Sequence, residues 1–523
     1  MRKTIFTLII MLIIPLIVNI SYSYNDQILS QQYSGTYSYI CDVDDDGITK
    51  ITIIYESSRS SGESWLLVPR NFTKYTIREI SGRIKSSELK RAYTATGEEF
   101  TFYDNYTFTY IGSPVFKLEI NYTMNNGALI VEPNCFFYSP QIYFSQRDAG
   151  IVYIYLPGNS RVSRSGVQPS PTDIGLEGGK WKITIRLQSN SARIAIEYTT
   201  MQTGNMRVYS DGIFQVVTPE RYREVAENLI KTYKTFYNNL TKIFGVNLTI
   251  VKVMFFAPRI ADLGTGGYIP FNGTHLGNIY LNLLYIRTAQ GFWEQIALHE
   301  LIHHFAWKAG ISPNLLWVHE GLAEYLSIKL TMNMGWEGAL SRMKTLEEIS
   351  LQLKENYGFI QWWNPVETPS NILNYYAASY AIIKTILEGY GGLNLLQKLF
   401  NEIKGLTISD TETFINYLNI ASKKDLTIKF IEWGFKISGG LWIYKEIIEA
   451  KYILMRKNFA QPFAWIANIL LNLSQRLLTS EYDWLAIIIG EIGIFISYLA
   501  ISLTVILWGG IIVIIISKVI KIE

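Results

Sequence analysis

The sequence predicts an α+β protein, and three observations predict it. Short alternating β-rich runs fill residues 24–217, two further strand-like runs follow a helical stretch, and helical periodicity then continues to an apolar C-terminal segment. The expected order is a β-rich, sandwich-like N-terminal domain, a domain of mixed strands and then helices over 218–400, a helical extension over 401–483 and one transmembrane helix over 484–517.

The chain opens with "MRKTIFTLIIMLIIPLIVNISYS", a basic start (Arg2, Lys3), an apolar run and a small-residue exit, so residues 1–23 read as a secretory signal peptide with the mature chain beginning near Tyr24. From there "ITKITIIYE", "SWLLVP", "VFKLEINYT", "IVYIYLP", "WKITIRLQ" and "ARIAIEYTT" alternate with turn clusters, as antiparallel strands do. The Gly-, Ser- and Pro-rich stretch from Pro157 to Gly179 reads as a mobile loop. "DVDDDG" (Asp42, Asp44, Asp46, Gly47) matches the first half of a calcium loop, but Ile53 stands where the bidentate Glu belongs, so an acidic turn is the better reading.

At "TPERYREVAENLIKTYKTFYNNLTKIFG" the pattern turns helical, with Thr218 as cap, Pro219 at the first helical position and Glu220 in the first turn. "TIVKVMFFA" and "GNIYLNLLYI" then read as strands. At the end of the chain the uncharged stretch from Ile492 to Ser517 exceeds the roughly 20 residues that span a bilayer. Lys518 and Lys521 follow it, which places the 518–523 tail in the cytoplasm and the rest outside, a single-pass plasma-membrane arrangement. The segment from Lys445 to Ser480 has an apolar face that suits packing either on the preceding domain or on the bilayer surface.

Sequons at Asn71, Asn105, Asn121, Asn239, Asn247, Asn272 and Asn472 agree with export as a glycoprotein, and Cys41 and Cys135 would form one disulfide or remain two buried thiols. The net charge of +3 over 523 residues speaks against a nucleic-acid surface.

Three of the five histidines fall in "HELIHHF", inside "GFWEQIALHELIHHFAWKAG", a helical pattern ending at Gly310. His299 and His303, four residues apart, share a helix face and can hold one metal ion, zinc by this ligand type, while Glu300 can act as general base. A third ligand is offered by "SPNLLWVHEGLAEYLS", where Ser312 and Pro313 begin a second helix carrying Glu320 as ligand. Glu324, one turn on, is placed to accept a hydrogen bond from the outer nitrogen of His299. His275, His304 and His319 read as packed residues.

"HELIH" followed by "WVHEGLAEY" resembles the gluzincin metallopeptidases, the group that includes thermolysin-like enzymes and the aminopeptidase N type, over about Leu248 to Leu399. The resemblance implies a zincin-like catalytic domain, zinc, peptide or protein substrates and an oxyanion-stabilising residue. With no histidine after His319, the last falls to a tyrosine, and "YAASYAIIKTIL" resembles the family's tyrosine helix, with Tyr376 in place, Ser379 where the family has glycine, and Tyr375 and Tyr380 as alternatives. Sixteen residues separate His303 from Glu320, a tighter connection than in the aminopeptidases.

No Asp or Glu lies between Asp262 and Glu294, where aminopeptidases carry the acid that pairs with a substrate's free amine. Gly266, Gly267 and the run Asn278 to Leu284 suit an edge strand that pairs with an extended peptide. An endopeptidase is therefore expected in preference to an aminopeptidase. A catalytically silent zinc-stabilised surface protein is the alternative from another class, and a binding function of the β-rich domain a third.

Overall fold

The computed structural model describes residues 33–70, 73–91, 103–202, 204–271, 276–288, 290–365, 367–437, 442–477 and 483–520. The signal-peptide expectation, Asn71, Asn272, His275 and Lys521 lie outside them.

The β-rich region is built around a seven-stranded sheet whose centre is Thr36–Val43, flanked by Thr49–Ser57 and Ala149–Leu156. It departs from a purely antiparallel arrangement, because Thr36–Val43 and Ala149–Leu156 run parallel. A three-stranded sheet (Ser61–Pro69, Tyr103–Ile111, Arg83–Arg91), a four-stranded one (Ser160–Gln168, Ala195–Thr200, Asn134–Tyr138, Ala128–Val131) and a two-residue pairing of Ile142–Tyr143 with Ser191–Ala192 complete it. Tyr37, Ile53, Phe108, Ile130 and Phe137, drawn from all three sheets, share one core.

The four-stranded sheet is apolar on both faces. Ile130, Phe137 and Ile196 point into that first core, and their neighbours Leu129, Phe136 and Ala195 point into the second, which holds the helices. Period-two alternation thus joins the two cores through one layer.

Three sequence-based expectations change here. Pro157 to Gly179 is not a loop but carries the strands Ser160–Gln168 and Asp173–Glu177, whose polar residues are those of exposed strand positions. Thr218 does not cap a helix: it ends the strand Phe214–Pro219, its hydroxyl is buried without a partner, and the helix Arg223–Phe244 starts after a 3-10 turn at Glu220–Tyr222. Strands Met206–Asp211 and Phe214–Pro219, read with the preceding region, belong to the next sheet, because Phe214–Pro219 pairs in parallel with Val251–Phe256.

That five-stranded sheet runs Met206–Asp211, Phe214–Pro219, Val251–Phe256, Ile279–Asn282, Gly267–Tyr268. Ile279–Asn282 is therefore interior, and the two-residue strand Gly267–Tyr268 is the edge. Behind it pack helices Phe292–Lys308, Leu316–Met332, Glu337–Gln352 and Ile372–Tyr390. Their core extends without a break through Phe414, Leu418, Phe430 and Ile437, so the first part of the expected extension packs on the same core.

Beyond it, helices Trp442–Arg456 and Phe463–Leu477 form a hairpin against the terminal helix Asp483–Ile520. The terminal helix has a 34-residue stretch, Leu485–Lys518, long and apolar enough to cross a membrane. Cys41 and Cys135 are free and buried, and burial pushes both thiols up to about 12. The acidic turn is closed by Asp44, whose Oδ1 accepts from Asp46 N and Ile48 N, and by cations: Lys180 on Asp42 and Arg221 on Asp46. Among the described sequons, Asn105, Asn121, Asn239 and Asn472 lie in strands or helices, and Asn247 in an exposed loop.

Candidate metal centre

Helix Phe292–Lys308 starts at Gly291, where a φ of +100° suits glycine and the Glu294 carboxylate accepts from Gly291 N at 2.8 Å. It is buried over most of its length, so the 299–303 face is pressed against neighbouring elements. Helix Leu316–Met332 begins three residues beyond Pro313, after a turn in which Ser312 Oγ accepts from Asn314 N. Gly321 lets this helix approach the tyrosine helix: a Cβ there would meet Ser379 O and Ile383 Cγ1 at 2.7 Å. The glycine beside Glu320 is thus a packing requirement.

These helices bring His299, His303 and Glu320 together, with one ligand atom of each within 4.8 Å of the others. His299 Nε2 is 3.0 Å and His303 Nε2 3.6 Å from Glu320 Oε2. Ligand bonds of about 2.0–2.1 Å in a tetrahedron imply ligand-to-ligand edges of roughly 3.3 Å, which these separations bracket. Two imidazoles and a carboxylate are a zinc donor set, so the residues present fit the ion.

The proton on the His303 imidazole is fixed by its outer partner, His319. His319 Nε2 lies 2.9 Å from the Ile311 carbonyl oxygen, which can only accept, so Nε2 carries the hydrogen and Nδ1 of neutral His319 is an acceptor. That Nδ1 lies 3.3 Å from His303 Nδ1, which must donate, leaving the lone pair of His303 Nε2 directed to the centre. His319, expected to be a packed residue, therefore orients His303.

The expected partner of His299 is present at longer range. Glu324 Oε1 stands 3.8 Å from His299 Nδ1, beyond hydrogen-bond reach, because both its oxygens are held by Arg342, through Nη2 and, at 3.2 Å, through Nε. Gln295 and Ser327 extend that network, Gln295 Nε2 donating to Ser327 Oγ at 2.9 Å and to Glu324 at 3.4 Å. Arg342 comes from helix Glu337–Gln352, outside any recognisable motif, and sequence reasoning missed it.

Burial opposes a charge on His299, but the hydrogen bond it donates to Glu320 and the charges of Glu324, Glu320 and Glu300 outweigh it and hold the metal-free imidazole near 9. Burial lowers His303 to about 3, which keeps it neutral, as a ligand must be. Glu300 is raised to about 8, by burial first and then by Glu320 and Glu324, against the opposing effect of His299. Burial works against the charge on Glu324 also, yet Arg342 and His299 keep its carboxyl below the usual range.

Glu300 lies under the edge strand, where only glycine fits: a Cβ on Gly267 would stand 2.9 Å from Glu300 Cγ and Oε1. Tyr376 is the tyrosine at the centre. Its ring lies 6.4 Å from that of His299, against Trp363 at 5.4 Å and under the Arg342 guanidinium at 5.6 Å. The charge of Glu320, then burial, raises its hydroxyl well above the ordinary tyrosine value, so it remains a donor. Tyr375 packs on Phe359 and Trp363, and Tyr380 lies near Tyr325 and Lys384.

No protein-family model and no curated protein matches the chain. Among solved structures, a point mutant of an M1 zinc metallopeptidase from Deinococcus radiodurans is similar at 11% identity and a TM-score of 0.29, over 78% of this chain and 95% of that one.

Proposed function

We propose that the protein is a membrane-anchored, extracytoplasmic zinc metallopeptidase that cleaves within peptide chains. The observation that carries this is the convergence of His299, His303 and Glu320 on one point, with Glu300 beside it and Tyr376 at its rim. Zinc held by the three ligands supplies a Lewis acid for the scissile carbonyl and lowers the pKa of water toward about 7. Glu300 takes the proton of the attacking water and passes it to the leaving amine nitrogen. The Tyr376 hydroxyl donates to the developing oxyanion. The free edge at Gly267–Tyr268 pairs with an extended substrate backbone.

Cleavage within chains follows from charge. Asp262 is paired with Arg259 at 2.9 Å, Glu324 with Arg342, and Glu320 faces the two histidines, so a substrate's free amine meets no available carboxylate among these. The terminal helix is the anchor, with Lys518 and Lys521 on the cytoplasmic side.

The test is digestion of a mixed peptide pool by the full chain and by its Glu300→Gln variant, with zinc content measured in both. Internal cuts by the unmodified protein alone are expected. Cuts confined to N-termini would make it an aminopeptidase, and zinc in both proteins with no cleavage by either would make it a zinc-stabilised surface protein.

A further inference from the structure

The hairpin Trp442–Arg456 and Phe463–Leu477 packs on the terminal helix through small side chains. Ala486, Gly490, Gly493, Ser497 and Ala500 recur at alternating spacings of four and three and are the buried positions among that helix's described side chains. Facing them are Ala464, Ala467, Leu471 and Ser474. A Cβ on Gly493 would meet Leu471 at 2.9 Å and one on Gly490 would meet Ser474 Oγ at 2.7 Å, while Ser474 Oγ donates to Ala486 O at 2.6 Å.

Ile443, Ile447, Leu454 and Leu471 pack inside with them, but many other large apolar side chains point the other way. Met455, Phe459 and Trp465 are 71%, 73% and 62% exposed, and Ile469, Leu473, Phe495 and Ile506 are exposed also. A water-soluble three-helix unit would leave few of these exposed; a seam of small residues along the terminal helix with large apolar side chains facing outward is how helices associate in lipid.

Depth follows from the hairpin's tip. Trp508 Nε1 donates to Gln461 O at 3.2 Å, so the turn between the two helices lies level with Trp508. From Gly509 to Ile520 only twelve residues of helix remain. At about 1.5 Å per residue they cover roughly 18 Å, against about 30 Å of hydrocarbon. If the terminal helix spans the bilayer, the tip cannot remain outside it.

The two cations of the tip turn back toward the outer surface. Lys457 Nζ donates to the Tyr498 carbonyl, ten residues above Trp508, at 3.1 Å, and Arg456 folds over the Tyr452 ring, one turn higher on its own helix, donating to its hydroxyl at 2.6 Å. Long cationic side chains rooted in lipid reach for the interface in this way.

We propose that the hairpin is a second membrane element, inserted from outside beside the anchor, with Met455, Phe459 and Trp465 among the acyl chains of the outer leaflet. This rests on the reading of the terminal helix as an anchor.

The test uses the full chain in phosphatidylcholine–phosphatidylglycerol vesicles, with a nitroxide on a cysteine introduced at one exposed position at a time: Phe459→Cys at the tip, Ile506→Cys on the anchor and Glu449→Cys midway up the hairpin's first helix, roughly 12 Å above the tip and level with the outer interface. Cys41 and Cys135 are buried and leave the labelling to the introduced residue. Retained zinc content reports folding of each variant. The expected result is that dissolved oxygen relaxes the labels at 459 and 506 more than a water-soluble nickel chelate does, with the order reversed at 449. Nickel dominance at 459 with oxygen dominance at 506 overturns the inserted hairpin and leaves the anchor standing. Nickel dominance at both positions removes the anchor and the hairpin together.

Discussion

Two of the buried groups of polar side chains in the described residues are organised in opposite ways. In the β-rich region Asp148 accepts from Ser64 at 2.5 Å and from Tyr55 at 3.4 Å, and Tyr37 is hydrogen-bonded to Ser64 at 2.7 Å. Each polar group there uses its neighbours, and the set closes on itself. Around His299 the groups instead face a common point, with His319 orienting His303 from behind and Arg342 holding Glu324 beside His299. A closed network is what a fold does with polar groups it must bury; lone pairs that converge, held from behind, are what it does with groups that bind.

The sharpest way to break this comparison is at Glu300. Exchange for Gln preserves shape and removes the base, so peptide hydrolysis falls by about 10²–10⁴-fold with zinc content unchanged. Activity near that of the unmodified protein in a peptide assay would put Glu300 with the structural residues.

Removing the outer support is expected to cost less. Arg342→Met leaves Glu324 buried without its counter-charge, a loss of about 3–5 kcal/mol in denaturant unfolding at neutral pH. Glu324 is lowered in the folded protein, so its contribution is present above the unfolded carboxyl value near 4.3 and is lost as pH falls through the folded value. In the variant burial is left to raise Glu324, so the penalty is relieved as the carboxylate is protonated and the gap between the two proteins narrows as pH falls. Coincident unfolding curves across pH for the two proteins would refute the pairing.

His319→Phe keeps the ring and removes the acceptor for His303. Zinc affinity, read by competition with a chelator, falls about 10–100-fold. An unchanged affinity would return His319 to the packed residues.

Asp148→Asn has the smallest effect, about 1 kcal/mol. Burial raises Asp148 despite the bonds from Ser64 and Tyr55, so its favourable state is the protonated one, present below the unfolded value near 3.9 and lost as pH rises through the folded value. The unmodified protein should lose stability relative to the variant between acidic and neutral pH, with no change in zinc affinity. Any change in zinc affinity would mean that the two networks communicate.

Much of this was legible in the sequence because it depends on local spacing. His299, His303 and Glu300 share a helix, and Glu320 sits on the next one, whose glycine is required by its neighbour. His319 lay beside Glu320 but about 100° around the helix, which reads as packing until the partner across the gap is seen. Arg342 comes from a separate helix with no motif of its own, and only tertiary structure brings it to Glu324. Strands misread at Pro157 to Gly179 and the boundary at 217 have a common cause: polar exposed strands resemble loops, and pairing partners are not written in the strand itself. The hairpin's apolar stripe was visible, but its depth came from one contact, Gln461 with Trp508.

The two thiols of the β-rich region bear on how the protein can be made. Cys41 and Cys135 lie inside the first core, each held as an inert thiol by burial, so no covalent crosslink contributes to the region's stability. The protein should therefore need no disulfide isomerase to mature and give no disulfide-scrambled products.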